Sequence, residues 1–168
     1  MIVKISRQQL NHDRLSWLCI EPSLLSVRGK DIVSKAEVYD RLNEGQKALY
    51  MFYAFHNHTN SAAEFYWFAA YFMSDLQGWP ALKKGITFFG EHHVLDALNE
   101  IELVLERYNR LEDGAWKAAS PSDLDCHIDL LAEVNAIYDK YAVVAAQAID
   151  RMNDYVREHL DDFFIVID

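Results

Sequence analysis

The stretch Leu49–Met73, LYMFYAFHNHTNSAAEFYWFAAYFM, constrains the fold more than any other part of the chain. Two apolar, aromatic-rich arms flank a polar knot, His56-Asn57-His58-Thr59-Asn60-Ser61. From Ala62 to Met73 the residues are apolar nearly all round, and only Glu64 is charged. A helix without a polar face is buried in protein or lies in a membrane, and a membrane span needs about 20 consecutive apolar residues. The knot cuts the run into arms too short for that, so the second arm reads as a core helix wrapped by its neighbours. Phe65, Tyr66, Trp67, Phe68, Tyr71 and Phe72 make it the packing centre, since each ring can bury about 150–250 Å². Where Trp67 and the tyrosines are buried, their polar atoms need hydrogen-bond partners, and the knot is one source. The first arm, Glu44 to His58, reads as a preceding helix capped by Asn43, with Asn60 or Ser61 ending one helix and capping the next.

The remainder follows the same helical pattern. The 168 residues are 51% hydrophobic and 13% aromatic, enough for one domain with a real core and too apolar for disorder. Ile2 to Ile5 is a short strand or the lead-in to a helix, and Trp17-Leu18-Cys19-Ile20 is a buried anchor ending at Pro22. Gly29 marks a loop. Ser34, with Glu37 three residues on, matches a capping box at a helix start. Pro80 begins a helix that Gly90 ends. From His93 to Asn109, Val94, Leu95, Leu98, Ile101, Leu105 and Tyr108 recur at helical spacing. Ser122 or Asp123 caps a last long helical stretch whose apolar set is Leu124, Ile128, Leu131, Val134, Ile137 and Tyr141, continuing through Val144, Ala148, Met152 and Tyr155. The tail Phe163–Ile167 is too apolar to hang free and reads as a short strand pairing with Ile2 to Ile5. The expected architecture is all-α: a single-domain helical bundle over residues 1–168, six to eight helices around the buried aromatic helix, with a minor terminal strand pair.

Charge narrows the function classes. The net charge of −10 argues against direct nucleic-acid binding through phosphate neutralisation and against an anionic membrane surface. Between Asp123 and Asp168 there are eleven acidic residues and three basic ones, a local balance of −8. Asp125, Asp129 and Glu133 recur every fourth residue, as do Asp150, Asp154, Glu158 and Asp162. On a helix each step rises about 6 Å, close to the spacing of neighbouring phosphates on a nucleic-acid strand. Such rows either face a basic partner or simply form a solvated outer surface. Cys19 and Cys126 are far apart and lack CxxC spacing, which fits reduced thiols. The start lacks the apolar run of a signal peptide, so a cytoplasmic location is expected.

The histidines offer a second chemistry. His56, His58, His92 and His93, with Glu64 and Glu91, form a metal-ligand inventory. On a continuous helix His56, Asn60 and Glu64 would share one face. No HExxH, Glu-x-x-His or Cys/His set is present, and the alternative is that these residues are polar groups at helix junctions. Glu64 is either a buried carboxylate poised for acid–base work or a first-turn residue three positions after a Ser61 cap. Nucleophilic catalysis has no support: there is no Gly-x-Ser-x-Gly elbow, and Cys126 and His127 would point about 100° apart on a helix. Gly-rich phosphate loops are absent, and no cofactor is expected.

Leu42-Asn43-Glu44-Gly45-Gln46-Lys47, then Asn60 and an aromatic run ending at Phe68, then Ala81-Leu82 and Phe88-Phe89-Gly90 ahead of an amphipathic helix, form a further pattern. Over residues 42 to 106 it resembles a family of small helical bacterial proteins, mostly of unknown function, that includes a DNA-mimic protein. The chain departs from that family where it has Asn-Asn-Gly-Gly-Phe and this sequence has Asn60-Ser61-Ala62-Ala63-Glu64. The resemblance implies an all-α fold, no cofactor and protein–protein binding. The first functional expectation is therefore a non-enzymatic acidic module, DNA-mimic-like or immunity-type, that binds a basic protein through Asp125, Asp129, Glu133, Asp150, Asp154, Glu158 and Asp162. The second, of a different class, is a metal-binding protein or metal-dependent hydrolase using His56, His58, Glu64, His92 and His93. A homodimer without a ligand is the third.

Overall fold

A computed structural model describes residues 3–168. Strand β1 (Val3–Ser6) passes through a 3₁₀ turn (Arg7–Asn11) into α1 (Leu15–Ser26) and α2 (Ile32–Asp40). The central pair follows, α3 (Glu44–His56) and α4 (Ala62–Ser74), then α5 (Trp79–Phe88) and α6 (His92–Asn109). A short α7 (Pro121–Cys126) precedes the long α8 (Ile128–Glu158), and α9 (Leu160–Phe163) leads into β2 (Phe164–Ile167). The fold is the expected all-α bundle with a minor terminal strand pair.

The two strands pair in parallel, Val3 opposite Phe164 through Ser6 opposite Ile167. Parallel strands need a long crossover, and here the whole helical body serves as one. The strand expected over Ile2 to Ile5 forms from Val3 onward; Ile2 lies outside the described residues.

Local chemistry sets the boundaries of the central helices. The Asn43 side chain accepts from Gln46 N and Gln46 returns a contact to Asn43 N, closing a capping box at the start of α3. Ser61 caps α4 by accepting from Glu64 N. Between them Thr59, buried, turns its hydroxyl back onto the His56 carbonyl at 2.9 Å. The aromatic core then closes around Phe55 of α3. Its ring lies 5.5–6.0 Å from those of Phe65, Phe68 and Phe72 on α4, Trp79 on α5 and Tyr141 on α8. Edge-on and tilted pairs at these distances are favourable beyond the area they bury. Helix α4 is enclosed by its neighbours along Phe65, Tyr66, Phe68 and Phe72, while Trp67 is 38% exposed. Helices α3 and α5 cross closely because Gly85 has no Cβ; one built there would lie 2.9 Å from the Ala48 Cα.

Four expected boundaries move. Helix α1 continues through Pro22 to Ser26, held by buried Cys19 and Ile20 before the proline and Ser23 after it. Helix α2 begins earlier than the Ser34 cap, because Asp31 accepts from Ser34 N and so takes the capping position itself. Ser120, not Ser122 or Asp123, caps α7, with Asp123 supplying the reciprocal contact. A break at His127, whose backbone is extended, separates α7 from α8. It resets the apolar phase: Ile128 is 81% exposed and Leu130 takes the buried position instead. From Leu130 the buried stripe of α8 runs through Val134, Ile137, Tyr141, Ala145, Ala148, Met152 and Val156. Among the described residues no helix is long and apolar enough to cross a membrane.

Candidate functional site

The polar knot turns its groups in different directions. His56 points inward, its ring stacked on Phe52 with centroids 5.1 Å apart and its Nδ1 3.1 Å from the Tyr141 hydroxyl. Burial, with Arg14 adding to it, lowers the His56 pKa and keeps the imidazole neutral; burial also pushes the Tyr141 phenol up. His58 lies outside, stacked on Phe68 at 4.5 Å. Glu64 is exposed. Its Oε2 accepts from the Asn60 backbone N–H at 2.8 Å and from the Asn60 side chain at 3.0 Å. It thus completes a cap of α4 one residue upstream of the usual box, and no buried carboxylate is available for acid–base work there. His92 and His93 occupy the exposed first turn of α6, where His93 Nδ1 is 3.9 Å from Asp96. Among the described residues no three His, Cys, Asp or Glu side chains are gathered to hold a metal ion. The grouping of His56, His58, Glu64, His92 and His93 is therefore not formed: the first three sit at the α3–α4 junction with different partners, and His92 and His93 lie in the first turn of α6.

The carboxylate rows are laid out differently from a straight helical count. Asp125 lies on α7 and Asp129 on α8, on either side of the His127 break. Asp162 lies on α9, beyond the end of α8 at Glu158. Regular four-residue spacing on one continuous helix thus holds for Asp129–Glu133 and for Asp150–Asp154–Glu158. The basic residues of this quarter are all engaged: Lys140 with Glu100, Arg151 with Glu91, and Arg157 with Asp154. Arg107 reaches across from α6 to Glu133 at 3.1 Å. Asp125, Asp129, Asp139, Asp150, Glu158, Asp161 and Asp162 are exposed and join no ion pair among the described residues. Four of these seven crowd the last turns of α8 and α9, where the negative end of the α8 dipole adds to their field.

Several polar features escaped the sequence reading. Glu91 is buried just before α6 and takes Arg151 from α8 through both guanidinium nitrogens that face it, Nε at 2.7 Å. The Asn153 carbonyl accepts from both the backbone N–H and the hydroxyl of Ser16, and that hydroxyl also meets Tyr53 at 2.7 Å. This ties α1 to α3 and α8. Tyr66 donates to buried Asn109 at 2.9 Å; burial pushes its phenol, like that of Tyr53, up to about 12. Charged residues in an amphipathic pattern look solvent-facing in sequence, and only the tertiary crossing turns Glu91 and Arg151 toward each other. A recess of about 200 Å³ also opens where the start of α3 meets α5, α8 and α9, lined by Asn43, Glu44, Gly45, Phe88, Tyr155, Asp162 and Phe163. Its lining comes from four separate stretches, so no local motif could signal it. Comparison with protein-family models, with curated proteins and with solved structures finds no match to this chain.

Proposed function

We propose that this protein is a non-enzymatic acidic interaction module that binds a basic protein partner through the C-terminal end of α8 together with α9. The observation that carries the reading is the set of exposed carboxylates Asp150, Glu158, Asp161 and Asp162, unpaired at one end of the bundle while the three nearby bases are committed elsewhere. Leaving like charges uncompensated destabilises the isolated protein, and a basic partner would relieve that repulsion on docking and accelerate the encounter. The resemblance over residues 42–106 to the helical family with a DNA-mimic member points the same way. Decalysine serves as a defined basic probe in isothermal titration. Binding should weaken strongly between about 50 and about 300 mM NaCl, as screening shortens the Debye length. It should be lost in the Asp150→Lys/Glu158→Lys variant. Binding that ignores both salt and charge reversal refutes the proposal.

A further inference from the structure

Beside the acidic end lies the recess between α3, α5, α8 and α9. Its walls are aromatic: Phe88, 42% exposed, meets Tyr155 with centroids 5.6 Å apart at 74°, and Tyr155 meets Phe163 at 6.2 Å and 82°. Gly45 makes the corner, since a Cβ there would come within 2.7 Å of the Phe163 ring and 3.6 Å of Phe88. Two carboxylates stand at the rim. Glu44 is held by Lys84 at 2.9 Å and Lys47 at 3.2 Å. Asp162 is exposed, with its side chain in no ion pair or hydrogen bond, while its backbone carbonyl anchors the Asn43 amide at 2.7 Å.

Three features select the ligand. The volume, about 200 Å³, falls below the roughly 300–1,000 Å³ of small-molecule sites and suits one side chain. Lys84 and Lys47 already offset Glu44, so Asp162 is the free charge at the rim, and a free carboxylate beside aromatic rings attracts a cation. An anion drawn by the α3 N-terminus would meet Glu44 and Asp162, and the capping box already occupies Asn43 N and Gln46 N. Tyr155 stands nearly perpendicular to Phe88 and Phe163, and one of its faces is stacked on His159 at 4.1 Å. The partly exposed Phe88 ring is therefore the open aromatic surface, and a compact ammonium needs less of it than a flat guanidinium. Resting on the acidic-module reading above, we infer that this recess is the specificity pocket for a lysine side chain of the basic partner, its ammonium over Phe88, beside Tyr155, and paired with Asp162.

The test compares wild type, Phe88→Ala, Asp162→Asn and Asp150→Lys/Glu158→Lys for binding of decalysine and of decaarginine, with NMR contacts recorded on the wild-type decalysine complex. The expected result is about tenfold weaker decalysine binding in Phe88→Ala, a comparable loss in Asp162→Asn, and contacts from lysine ε-methylenes to the Phe88 and Tyr155 rings. Because Asp162 also belongs to the acidic face, the loss in Phe88→Ala is the reading specific to the pocket, and Phe88→Leu, which keeps the apolar bulk but removes the ring, repeats it should Phe88→Ala disturb folding. If both pocket variants bind decalysine as wild type does while Asp150→Lys/Glu158→Lys loses binding, the pocket is overturned and the acidic face stands. If decaarginine binds more tightly with the same sensitivity to Phe88→Ala, the lysine assignment is overturned. Failure of decalysine to bind the wild type overturns both.

Discussion

The Glu91–Arg151 pair offers the sharpest test of how the acidic helix is held to the bundle. Glu91 has only 3% of its side chain exposed, whereas Arg151 is 52% exposed. Replacing Arg151 by methionine keeps most of the apolar stem but leaves a buried carboxylate without its counter-charge. Breaking a fully buried pair from one side costs about 3–5 kcal/mol. Here the arginine is half in water, so solvent can reach part of the freed carboxylate, and we expect about 2 kcal/mol. For a domain of this length that lowers Tm by about 4–8 °C. Urea denaturation of the wild type, Arg151→Met, Glu91→Gln and the double variant completes a double-mutant cycle. The double variant should recover part of the loss, giving a coupling energy of at least about 1 kcal/mol. If Arg151→Met changes stability by less than about 0.5 kcal/mol, the magnitude of an ordinary surface substitution, the pair does not secure α8 to the start of α6.

Two further predictions rest on buried titratable groups. His56 has its pKa lowered by burial and by Arg14, so the unfolded chain takes up a proton near pH 6.5 that the folded chain refuses. Its contribution is therefore lost as pH falls from about 6.5 toward the depressed folded value, with a slope of at most about 1.4 kcal/mol per pH unit. His56→Gln should flatten the pH dependence of the urea midpoint on that side, and an unchanged slope would sink the assignment. Cys19 is 1% exposed and burial pushes its thiol up to about 12, whereas Cys126 is exposed. A disulfide reagent should consume one thiol in the native protein and a second only in denaturant; equal reactivity of the two would contradict the burial of α1.

The parts of the fold that local chemistry controls were legible in the chain. The capping pattern at Asn43, the Ser61 cap, Pro80 near the start of α5 and the apolar periodicity of α6 are short-range signals, and each appears in the structure. The terminal strands were legible too from the apolar run Phe163 to Ile167, although only Phe163 and Phe164 of it are buried and Ile165, Val166 and Ile167 stay exposed in the strand pair. What failed was the assumption that periodicity continues across a break. A proline ordinarily stops a helix, yet buried residues on both sides of Pro22 hold α1 together. His127 interrupted a pattern that looked continuous, and this put Ile128 in water. The site was harder to read for a related reason. A list of histidines carries no information about direction, and the bundle sends His56 into the core and His58 outward. The recess at Phe88, Tyr155 and Phe163 depends wholly on the way α3, α5, α8 and α9 meet.

The breaks in the carboxylate rows bear on what kind of basic partner the proposed module would suit. A nucleic-acid-like strip needs charge at regular intervals along an unbroken length. Helix α8 instead carries acid at its two ends. Between Glu133 and Asp150 it rises roughly 25 Å, and within that gap Asp139 is the lone acidic residue. Ala136, Ala142, Val143, Ala146 and Gln147 occupy exposed positions on the intervening surface. The N-terminal group is also partly neutralised, since Arg107 holds Glu133, whereas at the C-terminal end only Asp154 is paired, with Arg157. The attraction is therefore concentrated where the helix dipole reinforces it, around Asp150, Glu158, Asp161 and Asp162. That distribution favours a compact basic contact over a partner that tracks a long charged groove. It also places the strongest field beside the aromatic recess, where Asp162 is shared by the face and the pocket. Long-range steering and a single seated ammonium would then act on the same partner residue, so orientation as well as attraction would be specified at one end of the bundle.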